Sequence, residues 1–179
     1  LEELGLNIRP GQDFSLLDPQ DNEYLEGSCS EYRRLVGRGG VSVAEADALV
    51  RGQNTVQAAL LLRRQIVEGM ICGSVGRFRR HLGHVRTIVG RAESIKALST
   101  LVSLILPTGT FFIVDTHVTP NPTAEEVAEM TLLAAEEVHR FGLKPKVALL
   151  SHSSFGTYDT KSARTMSRAR KLLQTLAPE

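Results

Sequence analysis

The sequence has little that would carry it into a membrane or an oxidising compartment: two cysteines, no long apolar run, and almost no surplus of either charge. Its most apolar stretch, Ile95 to Leu106, is broken by Lys96 and falls well short of the roughly 20 residues of a membrane span. The opening Leu1-Glu2-Glu3-Leu4 has neither a basic segment nor an apolar one, which argues against a secretory leader. Lys and Arg number 21 against 20 Asp and Glu, so no global field draws the chain toward nucleic acid or an anionic membrane. Any anion site has to be local. Cys29 in a polar segment and Cys72 in an apolar run, read as a buried strand, make a poor disulfide pair, and a reducing cytoplasm is the expected compartment.

What is present is the pattern of a single α/β core. A length of 179 residues with 42% hydrophobic and 23% charged residues is enough for one domain and too short for two full ones. Phe14 to Leu17 reads as an edge strand after the Pro10-Gly11 turn. Helical spacing runs from Glu23 to Val36 and stops at Gly37-Arg38-Gly39-Gly40. Ser42 with Glu45 forms a capping box for a helix through Val50, and Asn54 to Val67 is apolar on most faces, as a helix buried on a sheet would be. Met70-Ile71-Cys72 reads as a parallel strand, followed by helices over Phe78 to Val89 and Ser94 to Ile105. Thr110 to Thr116 and Lys146 to Ser151 are two further strands. Between them Thr123 and Glu126 cap a helix whose inner face carries Val127, Thr131, Ala134 and Val138, ending at Gly142. The alternation predicts a three-layer, mainly parallel sheet with helices on both faces. The last helical pattern stops at Ala177-Pro178-Glu179, where another strand is due, so a domain truncated at both ends is expected.

In such sheets ligands gather where strands turn into helices. The first corner, Cys72-Gly73-Ser74-Val75-Gly76-Arg77-Phe78, feeds a helix rich in Arg79, Arg80, His81, His84, Arg86 and, beyond it, Arg91. Gly73, Ser74, Gly76 and Arg77 are the candidate phosphate contacts, and a solvated helix face accounts for most of the other cations. The turn matches neither a P-loop nor a dinucleotide fingerprint, and no aromatic interleaving supports nucleic-acid binding. At the second corner, Asp115 and His117 alternate on a strand, as an acid/base or metal pair would, but no third ligand accompanies them. Asn121 and Thr123 cap the next helix there. The third corner, Ser151-His152-Ser153-Ser154-Phe155-Gly156-Thr157, offers hydroxyls and an imidazole. It lacks the G-x-S-x-G elbow and an acid to orient His152, which leaves a ligand-binding corner or a turn satisfying its own backbone.

Taken together, Pro-Asn-Pro-Thr-Ala-Glu-Glu at 120 to 126, Phe-Gly at 141 to 142 and Pro-Lys-Val-Ala-Leu-Leu-Ser at 145 to 151 resemble the core of phosphate acetyl/butyryl transferases. Asp115-Thr116-His117, Ser151-His152-Ser153, Ile71-Cys72-Gly73 and Gly76-Arg77-Phe78 look most like the transferase-related domain at the C-terminus of bacterial NADP-dependent malic enzymes. The resemblance covers nearly the whole chain. It implies a phosphotransacetylase-like (isocitrate dehydrogenase-like) fold of two lobes, with acyl transfer between CoA and phosphate in the cleft, and residues 1–179 as part of one such domain.

The chain departs from the catalytic pattern that the resemblance implies. Val36 and Gly83 stand where transferases carry arginines, with Arg86 one turn beyond Gly83, and the catalytic Leu-Ser-Arg segment would lie after Glu179. The expectation is therefore a domain with no catalytic residue and no metal of its own, binding acetyl-CoA or a related acyl-CoA allosterically and supporting a homo-oligomer. NADP and a divalent metal would belong to an upstream malic enzyme domain. An active transferase fragment and a non-binding oligomerisation domain are the rival readings.

Overall fold

A computed structural model of the chain describes residues 5–18, 23–37, 39–154 and 157–178. The leader reading of Leu1 to Leu4, Arg38 at the end of the first helix, Phe155 and Gly156 of the third corner and the terminal Glu179 lie outside them. The chain forms two compact units, Leu1–Arg91 and Ala92–Glu179.

Among its described residues the regular elements of the first unit are helices. A 3-10 turn at Glu23–Leu25 and α1 (Ser28–Val36) replace the continuous helix expected from Glu23, because Gly27 takes a left-handed conformation between them, at φ 70°. α2 (Val43–Gly52) starts on the expected capping box: the Ser42 hydroxyl accepts from the Glu45 N–H, and the Glu45 carboxylate accepts from the Ser42 N–H. α3 (Asn54–Arg63) is shorter than its apolar pattern suggests, since Gln65 adopts a positive φ of 59° just beyond it. α4 (Phe78–Ile88) completes the unit.

The many apolar faces of α3 are buried by other helices and not by a sheet. Val56, Ala59 and Leu60 join Tyr32 of α1, Ala46 and Val50 of α2, and Ile88 of α4 in one core. Glu31 of α1 pairs with Arg64 at 2.8 Å and Arg63 at 3.6 Å, while Arg63 also donates to the Ile88 carbonyl, so one polar cluster ties α1, α3 and the end of α4. Gly83, midway along α4, is exposed, and a Cβ built there meets nothing within 4 Å. Gly83→Ala is expected to stabilise this unit by about 1 kcal/mol by removing backbone freedom from the unfolded chain; urea denaturation of the pair of proteins checks it.

The second unit holds the only regular sheet among the described residues, an antiparallel pair of β1 (Leu101–Leu106) and β2 (Gly109–Val114). This corrects the helix expected over Ser94 to Ile105. Leu106 pairs with Gly109 across Pro107-Thr108, and a two-residue loop lets neighbouring segments pair locally, whereas parallel strands need a long crossover. The expected α/β class is present, as helices with a small sheet; among the described residues that sheet has two strands. Met70 to Cys72 and Lys146 to Ser151 carry no regular secondary structure, and Ile71 and Leu150 are 100% and 78% exposed. A strand has no stability apart from its ladder, so apolar composition alone does not make one. Cys72, expected to be buried, is accordingly exposed, and both cysteines are free. Phe14 to Leu17 forms no strand either; Phe14 makes an isolated bridge to Pro10.

α5 (Ala124–Arg140) is the expected capped helix, with the reciprocal Thr123–Glu126 bonds at its start and Gly142 left-handed at φ 73° after its end. Its Val127 and Val138 are buried. Phe112 of β2 meets Phe141, with ring centroids 5.4 Å apart. α6 (Lys161–Leu176) packs against α5 through Ala169, Met166 and Leu172, together with Ala124, Val127 and Leu149. No described helix is long and apolar enough to cross a membrane.

Candidate functional site

The first corner lies in the helical unit. Gly73 and Gly76 adopt positive φ of 97° and 109°, conformations that side chains other than glycine rarely take, so the turn depends on both. It delivers Arg77 as the residue capping α4, with no side-chain cap and no acid in the first helical turn. Ser74, Arg77, Arg79 and Arg80 are all exposed. A positive helix end that gathers arginines instead of acids opposes the usual preference, and an anion seated at the turn would relieve it. Behind the arginines, His84 is held below the ordinary histidine range by burial first, then by the charges of Arg80 and His81. It therefore adds no charge to the patch near neutrality.

The other two corners lie in the second unit and share one end of it. Leu149, just before Ser151, packs in the same cluster as Ala124, which follows Thr123. The structure thus brings Asn121 and Thr123 to the same end as Ser151, His152, Ser153 and Ser154. Several of their hydroxyls already accept bonds within their own turns. The Thr123 hydroxyl accepts from Glu126 N–H, the Ser151 hydroxyl accepts from Ser153 N–H at 3.2 Å, and the Ser153 hydroxyl accepts from Tyr158 N–H at 2.9 Å. Ser153 is also buried at 8% exposure. Asn121, His152 and Ser154 remain exposed.

Asp115 is the organiser of this end, a role the sequence pattern did not suggest. Its carboxylate accepts from the Thr100 hydroxyl at 2.7 Å and N–H at 3.2 Å, and from the N–H groups of His117, Val118 and Thr119 at 3.3, 3.2 and 2.7 Å. Burial pushes the carboxyl up, but the bonds from Thr100, Thr119 and His117 outweigh it and hold it below the usual aspartate value. Asp115 meets His117 through the backbone, the His117 N–H donating to the carboxylate that also receives the Thr100, Val118 and Thr119 donors. No group of three or more metal-ligating side chains occurs among the described residues. The available signal was Asp115 standing at a strand end, two to four residues before a polar loop whose N–H groups need acceptors.

Comparison with known proteins places these corners in context. The family model for phosphate acetyl/butaryl transferase matches residues 1–179. Among curated relatives, a NADP-dependent malic enzyme from Haemophilus influenzae is 43% identical over 99% of this chain, and one from Escherichia coli is 38% identical over all of it. A phosphate acetyltransferase from Escherichia coli is 26% identical over 96% of the chain. The chain spans about a quarter of the length of each of these relatives, 24% in all three cases. Solved phosphotransacetylases from Staphylococcus aureus and Streptococcus pyogenes superimpose with TM-scores of 0.74 and 0.77, each at 20% identity over 99% of this chain and 52% and 53% of theirs. The fold is therefore of the α/β phosphotransacetylase type.

Proposed function

This chain belongs to the phosphate acetyl/butaryl transferase family, and from that premise we propose that it is the regulatory, acyl-CoA-binding domain of a NADP-dependent malic enzyme. The observation that carries the reading is the ordering of its relatives. Identity reaches 43% with a NADP-dependent malic enzyme and 26% with a phosphate acetyltransferase over almost the same length. In this reading the malate, NADP and divalent-metal chemistry resides in another part of the protein, in the cytoplasm, and the present domain supplies a binding corner and contacts between copies.

The ligand class follows from chemistry. Acetyl-CoA and related acyl-CoA esters are polyanions, and the Gly73–Arg77 turn joins helix-end N–H groups to exposed arginines. Arg77, Ser74 and the glycines form the anion contact of the first unit; Asn121, Thr123 and the Ser151–Ser154 corner are candidate ligand positions of the second unit taken by itself. In that second group the Thr123 hydroxyl accepts from Glu126 N–H and has its proton left to donate, whereas the Ser151 proton goes to the Ser153 carbonyl and Ser153 is buried. Val36 and Gly83 leave no arginine where the family resemblance implies catalytic ones, so charge developing in an acyl-transfer transition state would go unmet. Binding is kept and chemistry is not. Regulation then requires that acetyl-CoA bind one conformational state of the enzyme better than another.

Thermal melting of the full-length protein tests this. Acetyl-CoA is expected to raise the midpoint, since a ligand at a hundred times its Kd adds about 2.7 kcal/mol to the native state. Arg77→Ala is expected to weaken binding about tenfold, the loss of one charge-assisted contact. No shift up to millimolar acetyl-CoA would favour a purely structural oligomerisation domain. The family match itself supports one rival, acyl transfer, and formation of acetyl phosphate from acetyl-CoA and phosphate by the full-length protein would establish it.

A further inference from the structure

His81, which the sequence offers only as one member of a basic cluster, has a specific place beneath the first corner. Its Nε2 lies 2.8 Å from the Val75 carbonyl oxygen and its Nδ1 lies 2.8 Å from the Thr55 hydroxyl. A carbonyl oxygen only accepts, so Nε2 carries the proton; in the neutral ring Nδ1 then accepts from Thr55. Thr55 is itself 5% exposed, in the first turn of α3. The imidazole thus bridges a buried helix to the middle of an exposed glycine turn. A Cβ built on Gly76 would stand 2.9 Å from His81 Nε2, so the ring occupies the space that a side chain at position 76 would need.

We propose that His81 is the positioning residue of the Gly73–Arg77 turn, holding it in the conformation that receives an anion. This rests on the reading of that turn as part of the acyl-CoA site. Two glycines make the turn possible and also make it loose, because glycine loses the most conformational freedom on ordering. A turn already tied at its centre needs less ordering when a ligand arrives, and the affinity rises accordingly. His81 need not touch the ligand to have this effect. The pin also sets the first turn of α4, where Arg80 N–H donates to the Arg77 carbonyl at 2.9 Å, so the ring fixes the arginine and the helix end together.

The test uses the full-length protein and trypsin, which cleaves after Arg77. In His81→Phe, which keeps a ring and loses both bonds, cleavage at Arg77–Phe78 is expected to run about tenfold faster, and acetyl-CoA binding to weaken by about the same factor. His81→Gln, which keeps an N–H within reach of Val75, is expected to stay close to wild type in both. Thr55→Val should move cleavage in the same direction as His81→Phe, and it decides the matter if that variant does not fold. Cleavage of His81→Phe at the wild-type rate, or His81→Gln opening as far as His81→Phe, would overturn the proposal. An opened turn with undiminished acetyl-CoA affinity would remove His81 from the site. Because cleavage needs no ligand, a wild-type protein that binds no acetyl-CoA would sink the ligand reading, while the rates still judge the pin.

Discussion

Asp115→Ala is expected to cost the second unit about 3 kcal/mol, because it strips five donors of one acceptor and leaves several N–H groups of the 115–119 loop without a partner. The effect should depend on pH with a defined sign. The folded carboxyl titrates below its ordinary value, so its stabilisation is fully present above the unfolded aspartate range and is lost as pH falls through the lowered value. Urea denaturation of wild type and Asp115→Ala at neutral pH and again in acid, followed by a probe in the hairpin or α5, checks both parts. The gap between them should narrow in acid. A gap that stays constant would mean that the charge of Asp115 contributes nothing and that its bonds are those of any polar side chain.

Leu60→Ala is expected to be about as damaging, at roughly 3 kcal/mol, and to strike the first unit instead. Leu60 is fully buried between helices, in a core with Val56, Ala59, Ile88 and Tyr32, and its removal leaves a cavity that four packed helices close only in part. Leu104, 42% exposed on β1, is the control; Leu104→Ala should cost well under 1 kcal/mol. Denaturation curves of the three proteins separate the outcomes.

What the sequence disclosed was mostly local chemistry. Ser42 with Glu45 and Thr123 with Glu126 mark helix starts because each pair satisfies the other's free backbone donor, a bond that needs only neighbouring residues. Gly142 marks a helix end for the same kind of reason. The strands were less legible. Ile95 to Leu106 carries apolar residues at spacings that suit a helix or a strand, and the deciding feature, the Pro107-Thr108 turn that pairs Leu101–Leu106 with Gly109–Val114, is a matter of pairing and not of composition. Met70 to Cys72 shows the converse, since the apolar run suggests a strand and the structure has no regular element there, with Ile71 and Cys72 exposed.

The site divides along the same line. Gly73 and Gly76 mark a glycine turn in the sequence, and in the structure both take positive φ. For Ser151 to Ser154 the sequence leaves a ligand-binding corner or a turn satisfying its own backbone, and the Ser151 and Ser153 hydroxyls do accept locally, from Ser153 N–H and Tyr158 N–H. His81 and Asp115 were hidden for the opposite reason: each acts on residues well separated in sequence, Thr55 in one case and Thr100 in the other. A cluster of cations in a sequence does not reveal which member is a structural pin.

The most direct test of the central reading is the rate of malate-dependent NADP reduction by the full-length protein as acetyl-CoA is titrated. A regulatory acyl-CoA site at the Gly73–Arg77 turn predicts a saturable change in rate, with the midpoint moved about tenfold toward higher acetyl-CoA in Arg77→Ala and the rate without acetyl-CoA unchanged. A protein that reduces NADP with malate at a rate indifferent to acetyl-CoA up to millimolar concentration would contradict it.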